Sequence, residues 1–408
     1  MALVKPFRGF RPRREFAQKV SAPPYDVVSE EEAREIVQSN PFSFLRISRP
    51  EVDFEPGINP YSYAVYKKGR ENFEKFIKDG IFEQDAKDCF YIYRIEVQGR
   101  VQTGLMAGFS IEEYDEDLIK KHEHTRPEKV EDRVKHTLLL GANAGPVLLA
   151  FRAEEKTNDL LERISIRKQD FNVVAPDGSK HSITVVENDN EIIEIIDAFR
   201  KIPSLYIADG HHRAKAASEV FRIKKKDNPN IEESYKYFLA VAFPHSQLRI
   251  MDYNRIVKRP EGMTNEEILR KISEKFEISP SDEMKPVKKR TYKMFSGLRW
   301  YLLEVKKGVC NEDDPIESLD VSILHSSIIH PIFGIEDPRR DSRIEFAGGV
   351  VSPKELERKC RKDGSIAFML YPMSMEQLLK IADSGKVAPP KSTWFEPKLR
   401  SGLVVRPF

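Results

Sequence analysis

Apolar positions along the chain recur with two different periods. Tyr61, Val65, Tyr66, Phe73, Phe76 and Ile77 fall at helical spacing before Asp79-Gly80 and predict an amphipathic helix. Upstream, Ser29 with Glu32 three residues on is a capping box that opens a shorter helix ending near Asn40-Pro41. The period then shifts: Cys89 to Val97 and Val101 to Ile111 read as two strands joined around Gln98-Gly99-Arg100. Pro127 suits the first turn of a helix that carries Lys129, Arg133 and His136 toward Leu140. From Pro146 the pattern alternates, with a strand (Val147 to Phe151), a helix (Asn158 to Ile164), a strand (Ser182 to Val186), a helix (Asn190 to Lys201) and a strand (Leu205 to Ala208). A helix rich in small residues (Ala214, Ala216, Ala217) follows and runs to Lys224-Lys-Lys226. This alternation predicts an α/β fold with a mixed sheet containing at least some parallel strands.

Tyr237 to Phe243 and Leu248 to Met251 read as further strands, ending in Asp252-Tyr-Asn-Arg255. Residues 256–345 form a different tract: a helix (Asn265 to Phe276), two strands around Gly297 and a helix through Ser318 to Ile329. On an α-helix His325 and His330, five apart, would diverge. The tail adds two short helices and one strand before the proline-rich Pro389-Pro-Lys-Ser-Thr-Trp-Phe-Glu-Pro-Lys398. The expected organisation is an α/β region over 1–255, a second α+β domain or insertion over 256–345, and a C-terminal segment, 346–408, returning toward the site.

Composition narrows the function classes. In 408 residues, 67 Lys+Arg face 65 Asp+Glu for a net charge of +2, so no global field favours nucleic acid and any anion binding is local. Three cysteines without a CxxC pair fit a reducing cytoplasm. The longest nearly apolar stretch, Leu138 to Phe151, is interrupted by Gly141, Asn143, Gly145 and Pro146, and the N-terminus lacks the apolar run of a signal peptide, so no membrane association is expected. P-loop, Gly-x-Gly-x-x-Gly and His-Arg-Asp motifs are missing, which removes support for ordinary P-loop, Rossmann and protein-kinase readings.

The strongest chemical signal is Tyr206-Ile-Ala-Asp-Gly-His-His-Arg-Ala214, a strand, a glycine turn and a helix start. Free N–H groups at a helix N-terminus favour an anion. His211, His212 and Arg213 add donors shaped for phosphate oxygens, against the plainer reading of Asp209 as an N-cap. In His122-Glu-His-Thr-Arg126 an extended chain would put His122 and His124 on one face, permitting a metal pair, but a phosphate or carboxylate clamp with Arg126, Lys129 and Arg133 is the favoured reading. A solvated charged face is its alternative. Asp26, held behind two prolines, is a candidate base or an Asx-turn. Lys391, Ser392, Thr393 and Lys398 form a lid or anion clamp, or else pack the C-terminus through Trp394 and Phe395.

Asp-Gly-His-His-Arg followed by Ala resembles the phosphate-binding Gly-x-His-Arg motif shared by ParB, sulfiredoxin and free serine kinases. Over the whole chain, Ser21-Ala-Pro-Pro-Tyr-Asp26, His122-Glu-His-Thr125 with Glu131-Asp-Arg133, Ala208-Asp-Gly-His-His-Arg213, Asp252-Tyr-Asn-Arg255 and Lys391-Ser-Thr-Trp-Phe-Glu-Pro-Lys398 resemble a large family known as a domain of unknown function. Its members of this length include pyrophosphate-dependent kinases of free L-serine. The resemblance implies a ParB/sulfiredoxin-like core, donor phosphates held by Gly210, His211, His212 and Arg213, and Mg²⁺ held by Asp209. It leaves the catalytic base open between Asp26 and Glu123. The expected activity is phosphoryl transfer from pyrophosphate to L-serine in the cytoplasm; the rivals are an ATP- or ADP-dependent kinase of the same fold and a ParB-like nucleotide- or DNA-binding module.

Overall fold

Gln98 and Gly99 both take positive φ, 48° and 74°, the backbone that a two-residue hairpin turn needs to match strand twist. The hairpin they close is the centre of a mixed sheet. Its strands are β1 (Val4–Lys5), β2 (Phe90–Val97), β3 (Arg100–Ser110), β4 (Ile119–Lys120), β5 (Val147–Phe151), β6 (Phe171–Val174), β7 (Lys180–Val186), β8 (Leu205–Asp209) and β9 (Tyr237–Pro244). The order is β4-β8-β5-β9-β3-β2-β7-β6, with β1 pairing the end of β3. Only β4 with β8 and β5 with β9 run parallel among these pairs. The mixed α/β fold expected from the alternation is therefore present.

The computed structural model describes residues 1–167 and 169–408 and divides into two units, Met1–Leu248 with Pro397–Phe408, and Arg249–Glu396. In the first unit one apolar cluster includes Ile92, Leu105, Phe151, Leu161, Phe199 and Ile207, and another gathers Phe44, Phe73, Phe82, Leu140 and Val405. The helix α1 (Pro127–Leu140) begins with proline at its first turn and ends at Gly141, φ 72°. The helix α2 (His211–Asp227) buries Ala214, Ala216 and Ala217. The last twelve residues of the chain are woven into this unit. Ser401 and Ala22 exchange backbone hydrogen bonds of 2.9 and 3.1 Å, and Arg406–Pro407 pairs Ala142–Asn143. Arg400 donates from Nε and Nη2 to the Ser21 hydroxyl and carbonyl, each at 3.0 Å, anchoring the start of the Ser-Ala-Pro-Pro-Tyr-Asp turn.

The second unit is built on an antiparallel sheet of β10 (Tyr253–Val257), β11 (Phe276–Pro280), β12 (Thr291–Ser296), β13 (Arg299–Val305), β14 (Ile344–Gly348) and β15 (Ile366–Leu370), in the order β11-β13-β12-β15-β10-β14. This sheet corrects the expected divisions at 255 and 345. β10 pairs both β14 and β15, so residues 249–255 and 346–396 belong with the intervening tract and not with their neighbours in sequence. The helix expected over Asn265 to Phe276 stops at Ser273, because Phe276 enters β11 opposite Val305. The helix expected through Ser318 to Ile329 is α3 (Asp320–Leu324), continued by a π-helical turn, His325–Ile329. Pro331 lacks the N–H that would close an α-turn on Ser327, and the chain widens there. The wider turn swings His330 back toward His325, so their rings stack with centroids 6.2 Å apart and do not diverge. Among the described residues no helix is long and apolar enough to cross a membrane.

The close packing of α2 on its sheet gives a stability test. Ala214 is fully buried, so Ala214→Leu overfills the interface and is expected to cost about 1–3 kcal/mol. A urea midpoint equal to that of the wild type would show that the helix is not pressed on the sheet as described.

Candidate functional site

β8 is buried from Leu205 to Ala208 and emerges at Asp209. Pairing with β5 shifts register between Ile207 and Asp209, an irregularity of the kind that re-aims a side chain at a strand end. Gly210 follows at φ 94°, a conformation costly for any residue with a Cβ, and a Cβ there would lie 3.1 Å from the Arg213 guanidinium. The chain thus turns directly from a buried strand into α2, with the positive dipole end of the helix beside Asp209.

Asp209 lies among cations. Its Oδ2 is 3.5 Å from Lys398 Nζ and 3.6 Å from Arg213 Nη2. Burial raises the carboxyl, but Lys398 and Arg213 outweigh it and bring Asp209 down to about 2. Arg213 also donates to the Pro146 carbonyl, while its Nε is buried and without a hydrogen-bond partner among the described residues. A buried guanidinium N–H in that state is a donor awaiting an acceptor. Lys398 was visible in the sequence as part of the C-terminal motif, yet only the return of the chain along Ala22 brings it to Asp209.

The two histidines do something other than present a pair of phosphate donors. His211 is buried, its Nε2 accepts the His122 backbone N–H at 3.4 Å, and its ring meets the His122 ring edge to face at 4.5 Å. His212 Nε2 accepts the Arg126 backbone N–H at 3.0 Å. Both rings therefore tie the 122–126 segment to the start of α2. Burial lowers His122 to about 4 and, with His122 beside it, takes His211 well below its ordinary value, so both are neutral at pH 7. Glu123, half-buried, places Oε2 at 3.9 Å from His211 Nδ1. His122 is buried while His124 and Arg126 are exposed, so His122 and His124 do not share one face as a fully extended segment would allow. Instead His122, Glu123 and His211 bring three ligand atoms within 4.8 Å of one another.

Arg133 has its guanidinium 3.9 Å from the Tyr25 ring and an ion pair to Asp132 at 2.8 Å. Tyr25, Arg133, Gly145, Arg213 and Ser401 line a cleft of about 40 Å³, room for little more than a water as it stands. Arg133 and Arg213 lower the Tyr25 hydroxyl only against a larger effect of burial, which pushes it up to about 12. Asp26 is exposed at the next position. Lys129 is half-buried on α1. Lys391 belongs to the second unit, where its Nζ lies 5.8 Å from the centre of the Tyr253 ring and its carbonyl accepts from Arg255. In the C-terminal motif Lys398, within the first unit, meets Asp209.

For Mg²⁺, Asp209 offers a hard oxygen ligand, and its ion pairs with Lys398 and Arg213 are both made through Oδ2. Such a set suits an ion carried largely by substrate phosphates, since Mg²⁺ ordinarily takes one or two carboxylates with phosphate oxygens and waters. The two imidazoles and Glu123 are a softer set, better matched to a transition ion.

A family model described as "Protein of unknown function (DUF1015)" matches residues 4–322. A free serine kinase in complex with AMP is similar over 72% of this chain and 86% of its own, at 13% identity and a TM-score of 0.34. A conserved hypothetical protein from Pyrococcus furiosus matches 72% of this chain and 92% of its own, at 13% identity and a TM-score of 0.33. C-terminally truncated SbnI from Staphylococcus aureus matches 72% and 84%, at 11% identity and a TM-score of 0.35. No curated protein matches the chain.

The neutral histidines predict how stability depends on pH. Burial lowers His122 and His136 to about 4, and burial with Arg400 lowers His181 to about 3. As pH falls below 6.5 the unfolded chain takes up protons that the native rings refuse. Stability is therefore complete above pH 6.5 and declines below it, by up to about 1.4 kcal/mol per pH unit for each histidine. Urea unfolding at pH 7, 6 and 5 should show this decline, with a shallower slope in His122→Gln; a flat wild-type profile would contradict it.

Proposed function

The chain belongs to the DUF1015 family, and we propose that it is a kinase that transfers a phosphoryl group from pyrophosphate to the hydroxyl of free L-serine, giving O-phospho-L-serine and phosphate. The observation that carries this reading is the cation cluster at the strand-to-helix turn: Lys398 and Arg213 about Asp209, with a buried Arg213 Nε–H that has no acceptor among the described residues. Phosphoryl transfer needs little covalent chemistry from the protein. It needs cations and fixed donors around the phosphoryl oxygens and a group that orients the attacking hydroxyl.

In this reading pyrophosphate lies against the N-terminus of α2, where Arg213 and Lys398 exchange part of their contact with Asp209 for contact with phosphate oxygens. Serine Oγ attacks the near phosphorus; the new O–P bond forms as the bridging P–O bond breaks, and phosphate leaves. The hydroxyl proton passes to a carboxylate. Glu123 is the better candidate for that base, because it stands beside His211 at the foot of the cluster while Asp26 is exposed next to Tyr25. His211 and His212 serve as positioning residues that hold the Glu123 segment against the helix start. Mg²⁺, held by Asp209 and the donor, would offset charge on the transferring group. A compact donor is favoured because the charged groups are concentrated within a few ångströms of Asp209.

Incubating the protein with L-serine, Mg²⁺ and each of pyrophosphate, ATP and ADP, with O-phosphoserine as the readout, tests the whole reading. Pyrophosphate is expected to give the highest kcat/KM. Inert pyrophosphate with active ATP or ADP would overturn the donor, and no phosphoserine from any of them would overturn the kinase. Arg213→Ala and Lys398→Ala each remove a charge-assisted contact of roughly 1.5–3 kcal/mol and are expected to lose about 10- to 100-fold or more in rate. Near wild-type turnover in both would remove the cation cluster from the reaction. Glu123→Gln is expected to abolish the acidic limb of the pH–rate profile, whereas Asp26→Asn leaves it in place; the reverse result would move the base to Asp26.

A further inference from the structure

Arg255, in the Asp252-Tyr-Asn-Arg255 motif, points to a second site that the reaction above does not use. It stands on β10 opposite Phe346 of β14 and is 4% exposed. Its guanidinium donates to three carbonyls, those of Tyr253, Pro390 at 3.3 Å and Lys391 at 3.0 Å, and lies 4.9 Å from the centre of the Phe346 ring. Among the described residues no carboxylate pairs with it. Burial brings its ionisation down to about 10, which still leaves it charged at pH 7. A buried charge without a counter-charge is among the costlier features a fold can retain.

The same guanidinium lines a cavity of about 520 Å³ within the second unit, inside the size range of small-molecule sites at roughly 300–1,000 Å³. The walls are largely apolar and include Leu324, Ile329 and Ile344, with Ser322, His325 and Ser326 as neutral polar groups and the exposed, Asp337-paired Arg339 as a further cation. The Ser322 hydroxyl is buried and has no hydrogen-bond partner among the described residues. His325 opens the π-helical turn, a local geometry that is infrequent and often found at functional sites. The acidic residues on the cavity wall, Glu336 and Asp337, are placed toward its rim: Glu336 is exposed, and Asp337 is committed to Arg339 at 2.8 Å.

We propose that this cavity binds an organic monocarboxylate with an apolar body, its carboxylate on Arg255 and the Ser322 hydroxyl and its hydrocarbon or aromatic part against the Leu324, Ile329 and Ile344 wall. One buried cation and one hydroxyl match a single negative charge; a phosphate dianion would need more. The apolar lining excludes a small hydrophilic anion as the preferred ligand. The site depends on none of the residues assigned to phosphoryl transfer.

Titration of the full-length protein with decanoate, decanol and inorganic phosphate, followed by calorimetry, tests the assignment. Decanoate is expected to bind with one-to-one stoichiometry, at least ten-fold more tightly than decanol, and phosphate is expected not to compete with it. Arg255→Met should lose at least ten-fold in decanoate affinity and no longer distinguish acid from alcohol. Because Arg255 also holds the carbonyls of Pro390 and Lys391, Ser326→Trp provides a second variant that fills the cavity while keeping the cation, and it too should lose at least ten-fold. Equal binding of decanol and decanoate, absence of decanoate binding, or unchanged affinity in Ser326→Trp would each overturn the proposal. O-phosphoserine formation assayed in parallel separates this result from the kinase reading, since Ser326→Trp is expected to leave it unchanged.

Discussion

The charge of Asp209 is the constraint around which the first unit is arranged. A carboxylate delivered by a buried strand to the positive end of a helix is stable only if its surroundings supply more positive charge than burial removes in hydration. Arg213 comes from the helix itself, one turn on. Lys398 comes from the other end of the chain, and it arrives because Ser401 pairs Ala22 and Arg400 grips Ser21. The weave of the C-terminal segment is thus part of the site's chemistry as well as of the fold.

The histidines beside this cluster show how burial changes a residue's task. An imidazole on an exposed turn would be a donor for phosphate, which is how the Asp-Gly-His-His-Arg run reads in isolation. Packed ring against ring, His211 and His122 are held neutral, and Nε2 of His211 and of His212 each accepts a backbone N–H. Positive charge beside Asp209 comes from Arg213 and Lys398. Glu123 remains half-exposed beside the neutral ring, a setting in which a carboxylate can exchange a proton with a bound hydroxyl.

The second unit contains a different solution to a buried cation. Among the described residues Arg255 has carbonyls and an aromatic face about it but no carboxylate, and the cavity next to it offers apolar wall and the Ser322 hydroxyl, which has no hydrogen-bond partner there. Carbonyl dipoles solvate a guanidinium partially, and the remaining charge is available to whatever anion enters. The widened turn beginning at His325 belongs to the same wall, so the irregularity in the helix and the unpaired charge occur together.

Much of this was legible in the chain itself. The Ser29 capping box, the Gln98-Gly99 turn, the proline start of α1 and the glycine between β8 and α2 are local rules in which a few adjacent residues decide the backbone, and the structure follows each. Alternating apolar runs likewise determined the mixed α/β class, because periodicity records which faces are buried. The divisions of the chain were not legible, since β10, β14 and β15 are joined by pairing between residues about ninety or more apart, and backbone pairing leaves no mark on local composition. The same is true of the ion pair between Asp209 and Lys398 and of the meeting of His122 with His211. The sequence determined which side chains were available and which way each short segment would bend; tertiary packing alone decided their distances, and with distance their charge, because the field at a buried group is set by neighbours that the chain brings back from far away.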